Sequence, residues 1–183
     1  MSASSALVAL LARESAKTGD FVLASGRRSS LYIDARRTTM HPEGLVLIGT
    51  LGLPIVQAWG AQSVGGLTLG ADPIAYAIAY ASQLAGQPVR AFTVRKEAKQ
   101  HGTGQLIEGQ YRAGDRVVVV EDVITTGGSA LKAVAALQAA GATVAGVLAV
   151  VDREEGGREA LEAAGLSVHA LVRAADVLAL LGS

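Results

Sequence analysis

The chain has no cysteine among its 183 residues, which excludes a disulfide framework, a thiolate metal site and a cysteine nucleophile. It has no charge imbalance either, since 16 Lys and Arg stand against 16 Asp and Glu. That argues against a general nucleic-acid or membrane-surface binder, so an anion site has to be assembled from a local cluster of cations. Material for such clusters is scarce: lysine occurs only at Lys17, Lys96, Lys99 and Lys132. No apolar run reaches membrane-spanning length before Gly, Pro or a charge interrupts it. The start, Met1-Ser2-Ala3-Ser4-Ser5-Ala6-Leu7, lacks the basic stretch of a signal peptide. A cytoplasmic protein is therefore expected, bound to neither membrane nor nucleic acid. Also missing are an internal repeat, a helix-turn-helix extension, a zinc-ligand spacing of His, Asp and Glu, the Gly-Lys-Ser/Thr of a P-loop and a G-x-G-x-x-G fingerprint.

Half of the residues are apolar and 17% are charged, a balance that excludes a disordered chain and suits one folded domain over 1–183. Residues 1–40 are set off as a small hood-like subdomain. There, a helical spacing over Ser5 to Lys17 is stopped by Gly19, and short strands at Phe21 to Ala24 and Leu31 to Asp34 flank Ser25-Gly26-Arg27-Arg28-Ser29-Ser30. Pro42 suits a first helical position, with the helix running from Glu43 to Trp59 and Trp59 packing. Beyond it, strands at Val64 to Leu69, Val89 to Val94, Val117 to Val120, Thr143 to Val151 and Ser167 to Val172 alternate with helices. Those helices lie at Ile74 to Leu84, Ala130 to Leu137, Arg158 to Ala164 and Ala174 to Leu181. Arg95 to Gly114 reads as one long polar stretch. The alternation predicts an α/β fold, a doubly wound and mainly parallel sheet flanked by helices.

The chain is organised around Val117-Val118-Val119-Val120-Glu121-Asp122-Val123-Ile124-Thr125-Thr126-Gly127-Gly128-Ser129. A β-branched run of this kind suits a central parallel strand covered on both faces. After it come two carboxylates, a loop of hydroxyls and glycines, and a helix. Glycines admit close approach of the backbone to a ligand, and the unpaired N–H groups of a helix start attract anions, so the turn is a phosphate cradle. Carboxylates repel a bare phosphate. Glu121 and Asp122 make sense if the ligand also presents hydroxyls or a divalent cation such as Mg²⁺. Ser129 has no histidine placed by sequence to activate it, and no covalent nucleophile is evident. His41, before Pro42, and His169, in the last apolar strand, read as structural.

Val120 to Ser129 resembles the phosphoribosyl-diphosphate (PRPP) motif of type I phosphoribosyltransferases. The resemblance implies the fold of that family. It also implies that Val123, Ile124, Thr125, Thr126, Gly127, Gly128 and Ser129 hold the ribose 5-phosphate region, with Glu121 and Asp122 beside the ribose hydroxyls and the Mg²⁺-bound sugar. Mg²⁺ is then the implied cofactor, bound mainly through PRPP.

Arg95-Lys96-Glu97-Ala98-Lys99-Gln100-His101-Gly102 concentrates cations that the rest of the chain lacks. It resembles the catalytic loop of orotate phosphoribosyltransferases. The likeness implies that Arg95, Lys96, Lys99 and His101 contact the diphosphate, with Lys99, Arg95, His101 and Asp122 as the catalytic group. It implies a homodimer whose loops complete each other's sites. Phe21 to Arg36 resembles the family segment over the orotate site, with its Tyr-x-Asp-x-Arg. Thr68, Leu69 and Gly70, within Gly66 to Pro73, match the diphosphate-binding loop, in which a strained non-proline peptide is typical. Val151 to Glu155 matches the segment whose arginine, here Arg153, pairs with the orotate carboxylate, and Thr125 contacts orotate as well. Lysines that some members of the family carry are absent at two positions, Ala24 and Gly70. Either the basic loop carries more of the diphosphate, or Arg27 or Arg28 substitutes.

The activity so implied is transfer of the 5-phosphoribosyl group from PRPP to orotate, giving orotidine 5′-phosphate and diphosphate in pyrimidine (UMP) biosynthesis. Two rivals share the phosphate motif. A transferase for another base leaves the basic loop and Asp152-Arg153 unexplained, and a non-catalytic PRPP-sensing regulator needs a nucleic-acid-binding element that the sequence lacks.

Overall fold

A computed structural model of the chain describes residues 2–22, 28–97 and 106–182, apart from the side chain of Ser29. Among them, six strands form one sheet: β3 (Ser63–Leu67), β4 (Arg90–Val94), β5 (Ile107–Gly109), β6 (Arg116–Ile124), β7 (Thr143–Asp152) and β8 (Val168–Arg173). Their order is β5-β4-β3-β6-β7-β8. All neighbours pair in parallel except the short edge strand β5, which runs antiparallel to β4. Helices α3 (Pro42–Ala58), α4 (Asp72–Leu84), α5 (Gly128–Ala139), α6 (Gly157–Ala163) and α7 (Ala174–Leu181) connect or follow the strands.

The valine run becomes the middle of this sheet because it is apolar on both faces. Val118 and Val120 join the core layer containing α3 and α4, while Val117 and Val119 join the layer under α5. All four are 0% exposed, and burial of each contributes about 1.5–3 kcal/mol. After β3 the chain goes to β4 on one side, and after β6 it goes to β7 on the other. The crevice at the C-terminal ends of β3 and β6 is thus the topological switch point, where open α/β sheets bind ligands.

The N-terminal region departs from the sequence expectation. Helix α1 covers Ala3–Glu14, and residues through Lys17 do not continue it; Ala16–Val22 is instead strand β1, paired antiparallel with β2 (Arg28–Ile33). Ser15 ends the helix, its hydroxyl bonded to that of Thr38 at 2.7 Å and its carbonyl accepting the Asp34 N–H. Helical propensity loses here to the pairing of Ala16 with Ile33. A one-turn helix, α2 (Arg36–Thr39), follows the hairpin. Leu7 and Leu11 of α1 and Leu31 and Ile33 of β2 lie in the same core layer as Ile48, Ile74 and Val120.

The long polar stretch also needs correction, since Ile107–Gly109 is the edge strand β5. Strand β6 runs to Ile124 rather than ending at Val120, because Glu121, Val123 and Ile124 stay in register with Ala149, Val151 and Asp152 of β7. His41 caps α3 by accepting the Glu43 N–H at Nδ1, 3.2 Å away, and so is structural as expected. Trp59 packs on the core. The Thr68–Leu69 peptide is cis. Among the described residues no helix is long and apolar enough to cross a membrane.

Candidate active site

A cavity of about 680 Å³ opens at the switch point. Its floor is the end of β6, one wall is the turn Thr68-Leu69-Gly70 after β3, and the opposite wall comes from β2, α2 and Arg153.

Glu121 is buried, 8% exposed, at the floor. Burial pushes its carboxyl up to about 8, and the neighbouring charge of Asp122 pushes the same way. Its Oε2 has no hydrogen-bond partner among the described residues. A buried acceptor left unsatisfied is costly, so this oxygen suits a ligand hydroxyl or a cation. Asp122 is more open and accepts the N–H of Val123 at 3.0 Å. No group of three His, Asp or Glu that could hold a metal occurs among the described residues. The two carboxylates still fit Mg²⁺, which keeps its waters and takes one or two carboxylates beside substrate phosphates.

Thr125, Thr126 and Ser129 are exposed around a left-handed Gly127 (φ +79°) that starts α5. A side chain at Gly127 would also sit 3.0 Å from the carbonyl of Gly157, so the hydroxyl loop is pressed against the start of α6. The loop leaves the first N–H groups of a 12-residue helix facing the cavity side, an anion site by geometry and dipole. Val123, Thr125, Thr126 and Ser129 line the cavity. Ile124 turns its side chain into the core, 1% exposed, and contributes main chain: its carbonyl accepts the Arg153 N–H at 2.9 Å.

In the facing turn, Thr68 donates to Asp72 Oδ2 at 2.6 Å and Thr93 donates to Asp72 Oδ1 at 2.8 Å. Asp72 thereby ties the turn after β3 to the end of β4, from which the basic segment leaves. Lys96 of that segment lines the cavity. Arg95 does not; its Nη1 lies 3.7 Å from Glu108 Oε1 on β5. Lys99 and His101 lie outside the described residues, as do Ala24 and Arg27. Arg28 pairs with Asp20 at 3.4 Å on the hairpin, with its side chain 80% exposed.

An ordinary surface arginine at position 153 would only pair with a neighbouring glutamate. Arg153 does pair with Glu155, at 2.9 Å, but its side chain is only 6% exposed and forms part of the cavity wall. Its Nη2 also donates to the Leu31 carbonyl at 3.1 Å. Asp152 holds the loop behind it: Oδ2 accepts Arg158 Nε and Oδ1 accepts the Glu154 N–H, both at 2.8 Å. The site roles of Asp72, Asp152, Arg158 and Glu155 were not read from the sequence. The sequence signal for Asp152 was its place at the end of an apolar strand, whereas Arg158 carried none.

The phosphoribosyl transferase domain family matches residues 65–164. The chain is 48% identical to the orotate phosphoribosyltransferase of Aquifex aeolicus over 94% of its own length and 96% of that protein. It is 49% identical to the Mycobacterium avium orotate phosphoribosyltransferase over 93% of this chain and 94% of that one. The crystal structure of Mycobacterium tuberculosis orotate phosphoribosyltransferase in complex with PRPP superposes with a TM-score of 0.82 at 44% identity, covering 96% of this chain and 99% of the other. Likeness on this scale extends past the shared phosphate motif to the hairpin, the turn after β3 and the Arg153 loop, and the chain belongs to the orotate phosphoribosyltransferase family of the phosphoribosyltransferases.

Proposed function

We propose that this chain transfers the 5-phosphoribosyl group of PRPP to a ring nitrogen of orotate, releasing diphosphate and forming orotidine 5′-phosphate for pyrimidine biosynthesis. The observation that carries the reading is one cavity holding an anion cradle, an unsatisfied buried carboxylate and a buried arginine on separate walls. The cradle at Thr125 to Ser129 suits a 5-phosphate. Glu121 and Asp122 suit ribose hydroxyls, and Arg153 suits a ring carboxylate through parallel hydrogen bonds that a neutral base cannot match.

The chemistry asks little covalent work of the protein. As diphosphate departs, positive character develops on the sugar and negative charge on the leaving group. The task is to orient the two reactants and stabilise that charge. Lys96 lines the cavity and suits the diphosphate, and Lys99 and His101 are assigned to it by family likeness. Mg²⁺ is part of the proposal, held through PRPP near Glu121 and Asp122; when bound it neutralises phosphate charge. Arg153 orients the acceptor, and closing the wall over the sugar excludes water, the competing nucleophile.

We extend the proposal to a cytoplasmic homodimer with shared sites. Sharing rests on family likeness; in its own chain Arg95 pairs with Glu108 on β5 at 3.7 Å. The test of the activity is product identification. Protein, PRPP and orotate with Mg²⁺ should yield orotidine 5′-phosphate, and excess chelator should stop it. Absence of that product above a no-enzyme control sinks the proposal.

A further inference from the structure

The diphosphate subsite is short of fixed cations. Position 70 supplies no cation here: it is Gly70, and a Cβ on it would come within 2.6 Å of Asp122 Oδ1, so any side chain there requires the Asp122 carboxylate to shift. With glycine at position 70, positive charge has to reach this wall from elsewhere. Of the described cations lining the cavity, Arg153 is enclosed by Glu155 and Leu31, and Lys96 stands at the root of the basic segment. The remaining one is Arg36.

Arg36 sits on a firm base. Helix α2 buries Thr38 and Thr39 completely, each 0% exposed, and Thr38 is bonded to Ser15. The guanidinium is half exposed and is aimed by Asp34, which accepts from Nε at 2.9 Å. That bond uses Nε and not the two terminal nitrogens, and Arg36 lines the cavity; a guanidinium fork matches paired phosphate oxygens. Its place also has the right electrostatics. Asp34 first, then Asp122 across the gap, hold the Arg36 guanidinium in its charged form. Asp122 is the same carboxylate that Gly70 approaches, so Arg36, Gly70 and Asp122 border one patch of the cavity.

We infer that Arg36, aimed by Asp34, is a fixed cation of the diphosphate subsite and binds the leaving group of the sugar donor opposite Gly70. The inference rests on the phosphoribosyl-transfer reading for what departs, but not for what binds. Arg36 is then a residue that touches substrate, while Asp34 is a positioning residue. The basic loop is spared part of the load that bare position 70 would otherwise shift onto it.

The test is calorimetric binding of Mg²⁺-diphosphate to the full-length chain, with orotidine 5′-phosphate formation measured on the same preparations. Arg36→Ala should weaken diphosphate binding by roughly 10- to 150-fold, the span of one lost charge-assisted hydrogen bond. Arg36→Lys should recover part of the loss, because charge returns without the fork. Asp34→Asn should weaken binding less than Arg36→Ala does. The KM for orotate should stay within about threefold of wild type for a subsite that does not touch the acceptor. Should Arg36→Ala fail to fold, Arg36→Gln decides in its place. Diphosphate affinity within twofold of wild type in a folded variant overturns the inference, as does a loss confined to orotate. A wild-type chain that binds no Mg²⁺-diphosphate overturns it too. A wild-type chain that makes no orotidine 5′-phosphate, yet binds diphosphate through Arg36, refutes the activity and leaves this inference standing.

Discussion

Arg153 separates a structural arginine from a substrate-binding one, because the two roles predict different behaviour for the same substitutions. Its side chain is 6% exposed, and its partner Glu155 is 15% exposed at 2.9 Å. Removing one member of a buried pair leaves an uncompensated charge and costs about 3–5 kcal/mol. The residual access of Glu155 to water puts Arg153→Ala at the low end, about 3 kcal/mol by denaturant unfolding. Replacing both, as Arg153→Leu with Glu155→Leu, removes the stranded charge and should return stability to near wild type. Activity should not return with it. One charge-assisted hydrogen bond to the acceptor carboxylate contributes about 1.5–3 kcal/mol, so kcat/KM for orotate should fall by about one to two decades in both variants. Affinity for PRPP should hold. If the double variant regains stability and also regains orotate turnover, Arg153 is only a wall residue and the acceptor assignment is wrong.

Other consequences are equally direct. Asp115 lies at the opposite end of β6, 4% exposed, and accepts from Arg90 at 2.7 Å, Ser63 at 3.1 Å and the Arg112 N–H at 2.9 Å. Asp115→Ala should therefore cost about 3–5 kcal/mol in urea unfolding while leaving both substrate KM values unchanged; a shifted KM would show that the two ends of the strand are coupled. In metal-free buffer, Glu121 titrates near 8 when folded and near its ordinary 4.5 when unfolded. The folded state then binds the extra proton between those values, so stability falls as pH rises across that window. Glu121→Gln should flatten this slope, and an unchanged slope would show that Glu121 is ionised throughout. Mixing impaired Lys99→Ala and Arg153→Ala chains under subunit exchange should raise activity above that of either alone; heterodimers without that gain would confine the basic loop to its own subunit.

Most of the sheet was legible because its signals are local. An unbroken valine run admits few placements, and Pro42, Gly141 and the acidic strand ends punctuate the elements near where they end. The errors fall where distant partners decide. Ala16 to Val22 becomes strand only because Leu31 to Ile33 is there to pair with it. Ile107 to Gly109 is too short to announce itself and is held by β4 alone. The site divides in the same way. Glu121, Asp122 and the hydroxyl loop are consecutive and could be read as a unit. The depth of Glu121, which raises its carboxyl and leaves Oε2 unsatisfied, depends on packing that no spacing reveals. Arg36 ends the Tyr-x-Asp-x-Arg segment, but its place on the same cavity as Asp122 follows from how the hairpin docks over the sheet. Gly70 is a missing charge in the sequence; in the fold its backbone lies against the Asp122 carboxylate.

We propose one cavity that selects PRPP as donor and a carboxylated pyrimidine as acceptor. Competition among bases measures this most directly. Orotate, uracil, adenine and guanine are offered together with limiting PRPP and Mg²⁺, and the nucleotide products are resolved and quantified. Orotidine 5′-phosphate should be nearly the whole product, with uracil, which lacks only the carboxylate, disfavoured by at least about tenfold. A purine nucleotide as the main product, or equal use of orotate and uracil, would contradict the claim.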